Sequence, residues 1–185
     1  KSVVQSNSDD FNEWANEAWE KYGVKDVVLV GSPSKNNEIS LPLADAYKTL
    51  VDNQHDFFIG GVTIAERHAS KKDEHERLIA KHQQGCSFFI SQAIYNAQAT
   101  IDMLTRYAIE CQQQGIKPQR IILTFSPCGS KKTLAFIEWL GVSVPEATSL
   151  RILNAERPLY ESIRICSNTL VQILDAVLPY KVPLG

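Results

Sequence analysis

Between Asp26 and Gly31 the chain runs Val-Val-Leu-Val, an apolar stretch with no polar alternation. A strand with one face in water alternates apolar and polar residues. One without alternation is covered on both faces, which is the environment of a parallel sheet flanked by helices. Three further runs share that character, at 56–63, at 86–92 and at Arg120-Ile-Ile-Leu-Thr-Phe125. The segments between them carry apolar residues at helical spacing instead. A helix is expected over about 10–22, with Asp9 or Asp10 as its cap, Phe11, Trp14, Ala15, Ala18 and Trp19 on one face, and Gly23 as its stop. Others are expected at about 41–52, 72–84 (stopped by Gly85), 97–114 (stopped by Gly115) and 131–140 (stopped by Gly141). A short helix follows Val144-Pro145, and a long one runs over 159–178. The last residues, Leu178 to Gly185, read as the lead-in to one more strand.

Strict alternation of helices with buried strands implies a parallel sheet with right-handed crossovers. Two architectures satisfy it, a doubly wound sheet and a (β/α)8 barrel, and strand count does not choose between them. Four strands are legible, against eight strands and about 250 residues for a complete barrel. The chain begins on a helix without a preceding strand and stops where another strand should start. That pattern suggests a piece of something longer, and no low-complexity linker marks a second domain.

Composition narrows the function. The 185 residues are 44% hydrophobic and 22% charged, with a net charge of −2, enough apolar material for one sizeable core. No Lys/Arg cluster marks a nucleic-acid face. No apolar run reaches the roughly 18 residues of a membrane span. No secretory signal is visible, although the first residue is not Met, and a cytoplasmic location is expected. Cys86, Cys111, Cys128 and Cys166 are scattered singly, which suits small core residues better than disulfides or metal ligands. His68, His75 and His82 recur every seven residues rather than at the i, i+4 spacing of a helical metal site, so a solvated helix face is expected and no metal.

Ligands of parallel sheets collect at the carboxyl ends of the strands. The four exits here are Gly31-Ser-Pro-Ser, Thr63-Ile-Ala-Glu-Arg-His68, Ser91-Gln-Ala-Ile-Tyr-Asn96 and Thr124-Phe-Ser-Pro-Cys-Gly-Ser130. All are small, polar or flexible beside the strands that feed them. Glu66-Arg67-His68 sets an acid, a base and a titratable ring at one exit, where they could also simply pair with one another. Gln92 ends a buried run where a strand should open onto a ligand. Lys131-Lys132 lacks the spacing of a phosphate loop. Nucleophile elbow and dinucleotide turn are both missing, and Cys128 has no neighbouring motif that would activate it.

These exits resemble the methylenetetrahydrofolate reductase family, most closely over 56–96 and more loosely over about 24–178. That family's small residues followed by Pro-Glu-x-His are similar to Gly61-Val-Thr-Ile-Ala-Glu66-Arg-His68. Its helix-to-strand pattern matches Glu74, Lys81, Gly85-Cys86 and Ser91-Gln92, its Pro-Gly-Ile-x-Pro exit is loosely matched by Leu123-Thr-Phe-Ser-Pro127, and its Gly-Val-x-Val-Pro matches Gly141-Val-Ser-Val-Pro145.

The resemblance implies a (β/α)8 TIM-type barrel, of which residues 1–185 would be one incomplete domain carrying about four to five βα units, the first strands and the last strand being absent. It implies reduction of 5,10-methylenetetrahydrofolate to 5-methyltetrahydrofolate, with hydride passing from NADH or NADPH to FAD and then to the folate, in a protein that could form a homo-oligomer. Gln92 and Tyr95 would bind the folate. Gly31, Ser32, Thr63, His68, Glu74 and Lys81 would lie near FAD. The family's catalytic acid belongs to a strand this chain does not contain. Val30 and Ser32 stand where the family has arginine and aspartate, and Ile64 where it often has an aromatic residue. Those departures motivate an alternative, a diverged relative that binds folate or a nucleotide-like ligand without flavin or without this reaction. An unrelated parallel α/β binding or phosphate-handling protein is a third reading.

Overall fold

The computed structural model of the protein describes residues 1–4, 6–31 and 40–185. Helices α1 (Ser8–Tyr22), α2 (Leu43–Val51), α3 (Ala65–Lys71), α4 (Glu74–Gln83), α5 (Ala97–Gln114), α6 (Lys131–Trp139), α7 (Glu146–Leu153) and α8 (Pro158–Val177) alternate with strands β1 (Asp26–Leu29), β2 (Phe58–Thr63), β3 (Phe88–Ser91) and β4 (Arg120–Ile122). The expected helices and strands are present, with two additions, one of them a short 3-10 helix at Leu178–Tyr180. The exit Thr63 to His68, read as a loop, turns into α3, a helix too short and too polar to show periodicity.

The strands form one sheet in the order β1-β2-β3-β4, with β1 parallel to β2 and Asp26 opposite Phe58. This corrects the barrel expected from the resemblance. A barrel closes only when its first and last strands pair, and about eight strands are needed to leave an interior that side chains can fill. Here the sheet is four-stranded and all-parallel, and β1 and β4 are its outermost members. Isolated parallel bridges add to it, Ser2 with Val30 and Leu184 with Ile121. The residues before α1 and after Leu178 thus contribute one bridged residue each.

Two compact units divide the chain, residues 1–62 with 77–90, and residues 63–76 with 91–185. In the first, α1 starts at Asn7, whose Oδ1 accepts from Asp10 N at 2.8 Å, so the cap lies just before the expected aspartates. Its core holds Phe11, Leu29, Tyr47, Leu50 and Phe89, all essentially inaccessible. Phe58 and Phe88 stack at 5.0 Å. The Phe88 ring lies on Gly60 so closely that a Cβ there would meet it at 2.4 Å. Only glycine permits that approach. Trp19 stacks on His55 at 5.0 Å and takes Phe57 edge-on.

The second unit is mostly helical. Its α5 packs against α3 and α8, and α7 packs against α8. Tyr95, Cys128, Leu134, Ile137, Val142, Ile152 and Ile165 form a buried cluster. Backbone hydrogen bonds join the strand ends that fall in this unit, Gln92 N to Thr63 O at 2.8 Å and Ile94 N to Thr124 O at 2.9 Å. The side chain of Ser91 accepts from Thr124 N at 2.8 Å. No helix among the described residues is long and apolar enough to cross a membrane.

Candidate functional site

The exits of β2 and β3 meet inside the second unit, and Glu74 organises them. Its Oε1 accepts from Thr63 Oγ1 at 3.1 Å and from Ile64 N at 3.0 Å. Ile64 stands at the N-cap of α3 and has no side chain to cap it, so the carboxylate takes up an amide that the strand end leaves over. Thr63 and Glu74 are both fully buried. The turn that delivers Glu74 depends on Lys72, which sits in the left-handed region at φ 56° and ends α3 with its N–H on His68 O at 2.8 Å. That corner folds the start of α4 back onto α3. The His68 and His75 rings meet edge to face at 5.2 Å.

Gln92 leaves β3 beside Thr63. Its Nε2 reaches Leu140 O at 3.5 Å, the limit of a hydrogen bond. Its Oε1 is buried with no partner, as are Glu66 Oε1, His68 Nδ1, Glu74 Oε2 and His75 Nδ1. A buried polar atom left unpaired costs about 1–3 kcal/mol, and most native structures avoid it. Five such atoms fall between Glu66 and Gln92, so these groups keep hydrogen-bonding capacity that no protein group among the described residues takes up.

Burial shifts two of the titratable groups in opposite directions. Burial pushes the Glu66 carboxyl above the usual carboxylate range. Burial, and then the neighbouring His75, pull His68 below its ordinary value, against the opposing charge of Asp102. A neutral imidazole donates at one nitrogen and accepts at the other, an amide does both, and a carboxyl oxygen accepts. The free Glu74 oxygen adds a further acceptor to this set. Among the described residues, no three His, Cys, Asp or Glu side chains are arranged to hold a metal ion.

The structure gathers four of the expected residues, Thr63, His68, Glu74 and Gln92. Tyr95 takes a different place. It is buried in the apolar cluster, its hydroxyl donates to Ser126 O, and one side lines a separate cleft of about 410 Å³. Lys81 belongs to the first unit, where its Nζ donates to Val62 O at 2.5 Å and its stem lies against Gly61. Gly31 is also in that unit, and a Cβ there would make only ordinary contact with Leu43 at 3.5 Å, so packing does not demand glycine. Ser32 lies outside the described residues. As a cradle for FAD these side chains fit poorly, since Thr63 Oγ1 and Glu74 Oε1 hold each other and Lys81 holds a backbone carbonyl.

Sequence reasoning missed His75, which was expected on a solvated face, yet it is 4% exposed. Of the two readings open for Glu66, a group at the strand exit or a partner of Arg67 or His68, neither is decided, and one of its oxygens has no partner. The usable signal was the seven-residue step from His68 to His75 across a Lys-Lys-Asp turn. Cys128, expected as a free thiol, is free and buried, and its N–H donates to Ser162 Oγ at 2.9 Å.

No protein-family model and no curated protein sequence matches this chain. Solved structures do. A protein from Clostridium thermocellum, described as binding two copies of 5-methyl-5,6,7,8-tetrahydrofolic acid, superimposes on the whole chain with a TM-score of 0.86 at 34% identity. The chain spans 62% of that protein's length. The BexX/CysO complex from Amycolatopsis orientalis aligns with 95% of this chain and 66% of its own at 16% identity, with a TM-score of 0.44.

Proposed function

We propose that this chain binds a reduced folate, with the pterin ring held at the exits of β2 and β3. The observation that carries the reading is the likeness, over the full chain and at 34% identity, to a protein described as a 5-methyltetrahydrofolate binder. The local chemistry supports it. A pterin presents a lactam and an exocyclic amine along one edge, a row of donors and acceptors. Gln92 and Glu74 Oε2 answer that row with an acceptor–donor amide and a carboxylate oxygen, and the buried setting makes each such bond count for more than it would in water.

Calorimetric titration of the purified chain with 5-methyltetrahydrofolate tests the proposal. Saturable binding is expected, weakened tenfold or more by Gln92→Ala, a loss of about 1.4 kcal/mol or greater. Absence of heat and of competition at millimolar folate would overturn it. Reduction of a methylene-folate by NADH or NADPH is the narrower proposal that the sequence resemblance implies, and any FAD serving it would have to be held by groups other than Thr63, Glu74 and Lys81. It requires a visible flavin band that bleaches when NADH is added anaerobically, and a colourless protein without folate-dependent NADH oxidation would leave binding alone.

A further inference from the structure

A polar recess lies among α5, α7 and α8 of the same unit. Its volume, about 410 Å³, falls in the size range of small-molecule sites. None of Thr63, Glu66, His68, Glu74, His75 or Gln92 lines it. Asn168 and Gln172 stand one turn apart on α8 at its wall, with Thr169 between them. None of these three side chains makes a hydrogen bond among the described residues, although Thr169 is only 7% exposed. Carboxamides four apart on a helix face the same way, so the wall offers paired donors and acceptors at a spacing that suits an amide-like ring edge. Ile101 and Ile165 supply apolar contact for the faces of such a ring.

The cleft also carries positive charge. Arg151 lines it and donates through one nitrogen to Glu161 Oε1 at 2.8 Å. Glu161 simultaneously takes a forked pair of bonds from Arg164 at 2.9 and 2.8 Å. Those two guanidiniums hold the Glu161 carboxyl below the usual range. One carboxylate between two arginines leaves a net positive charge, and a guanidinium has five N–H donors in all. Such a group suits a carboxylate on the ligand.

We infer that this cleft is a second binding site for a flat, amide-edged ring bearing a carboxylate, so that one chain takes up two folate-class ligands. The inference rests on the folate reading for the ligand's identity and on the cleft's own residues for its place. Wild-type protein titrated with 5-methyltetrahydrofolate should take up two equivalents. Asn168→Leu combined with Gln172→Leu should remove one, and Gln92→Leu should remove the other. Both α8 positions are exposed, and an unchanged melting midpoint confirms that the double variant is folded. Arg151→Gln should weaken the cleft's equivalent at least tenfold for 5-methyltetrahydrofolate and leave it unchanged for a pterin lacking the glutamate tail. A single equivalent in the wild type, abolished by Gln92→Leu, overturns the second site and leaves the proposed function standing. Two equivalents retained by the α8 double variant also overturn it. No binding at all removes the folate reading itself, and the cleft assignment with it.

Discussion

The two units solve the same packing problem and leave very different residues behind. In the first, the strands bury aromatic rings against glycine. Its one buried side-chain atom without a hydrogen-bond partner among the described residues is Tyr47 Oη, which has the Cys86 sulfur beside it. In the second, the strand ends collect Glu66, His68, Glu74, His75 and Gln92, each with an unpaired buried atom. Shape complementarity dominates one region and unspent hydrogen-bonding capacity the other. Stability should therefore be most sensitive to volume in the first unit, and ligand affinity to polar identity in the second.

The sharpest way to break that comparison is Gly60→Ala. A methyl 2.4 Å from the Phe88 ring cannot be accommodated without shifting the stacked Phe58–Phe88 pair. Overpacking of this kind costs about 1–3 kcal/mol, occasionally more. Chemical denaturation should show that loss, and pairing the change with Phe88→Leu should recover part of it. If Gly60→Ala is neutral, the first unit is not packed as described.

Next comes Glu74→Gln. The amide keeps one oxygen for Thr63 and Ile64 but presents an N–H₂ where the structure has an unpaired carboxylate oxygen. Folate affinity should fall about tenfold, which is about 1.4 kcal/mol, while the melting midpoint moves little. Equal affinity for both forms would remove Glu74 from the ligand's surroundings.

Smaller effects follow from the shifted groups. Glu66 has a raised folded-state value, so its contribution is present at acid pH and is lost as pH rises through that value. Glu66→Gln should accordingly raise stability at neutral pH and do nothing at pH 4. His68 has the opposite sign. Its value is lowered from 6.5, so its contribution is intact above pH 6.5 and is lost as pH falls through the folded-state value. Thermal melts of His68→Gln should be flatter than wild type below pH 6.5 and parallel to it above. A variant that tracks wild type throughout would place His68 in contact with water.

Much of this arrangement was legible beforehand, for identifiable reasons. The four strands announced themselves as apolar runs, and Gly23 and Gly115 ended helices where they were expected to, at φ 64° and 65°. Gln92 was visible because a polar residue closes an otherwise buried stretch. The burial of Glu74 and His75 was hidden by their setting, Lys71-Lys72-Asp73-Glu74-His75-Glu76-Arg77, which in composition is a solvated surface. Only the left-handed turn at Lys72 folds two members of that run inward, and lysine carries no signal for such a turn. Sheet closure was beyond reach for another reason. Each strand records that it is buried on both faces, and none records how many neighbours the sheet will have.

The order β1-β2-β3-β4 has a consequence for how the molecule comes into being. Each of β2, β3 and β4 pairs with the strand synthesised immediately before it, as Phe58 does with Asp26. No strand has to wait for a distant partner to emerge from the ribosome. Such pairings keep loop-closure entropy modest and suit growth of the sheet by accretion from the N-terminal end. The exits of β2 and β3 would then be laid down before α7 and α8 exist, so the strand-exit site would take shape while the α8 cleft was still unmade.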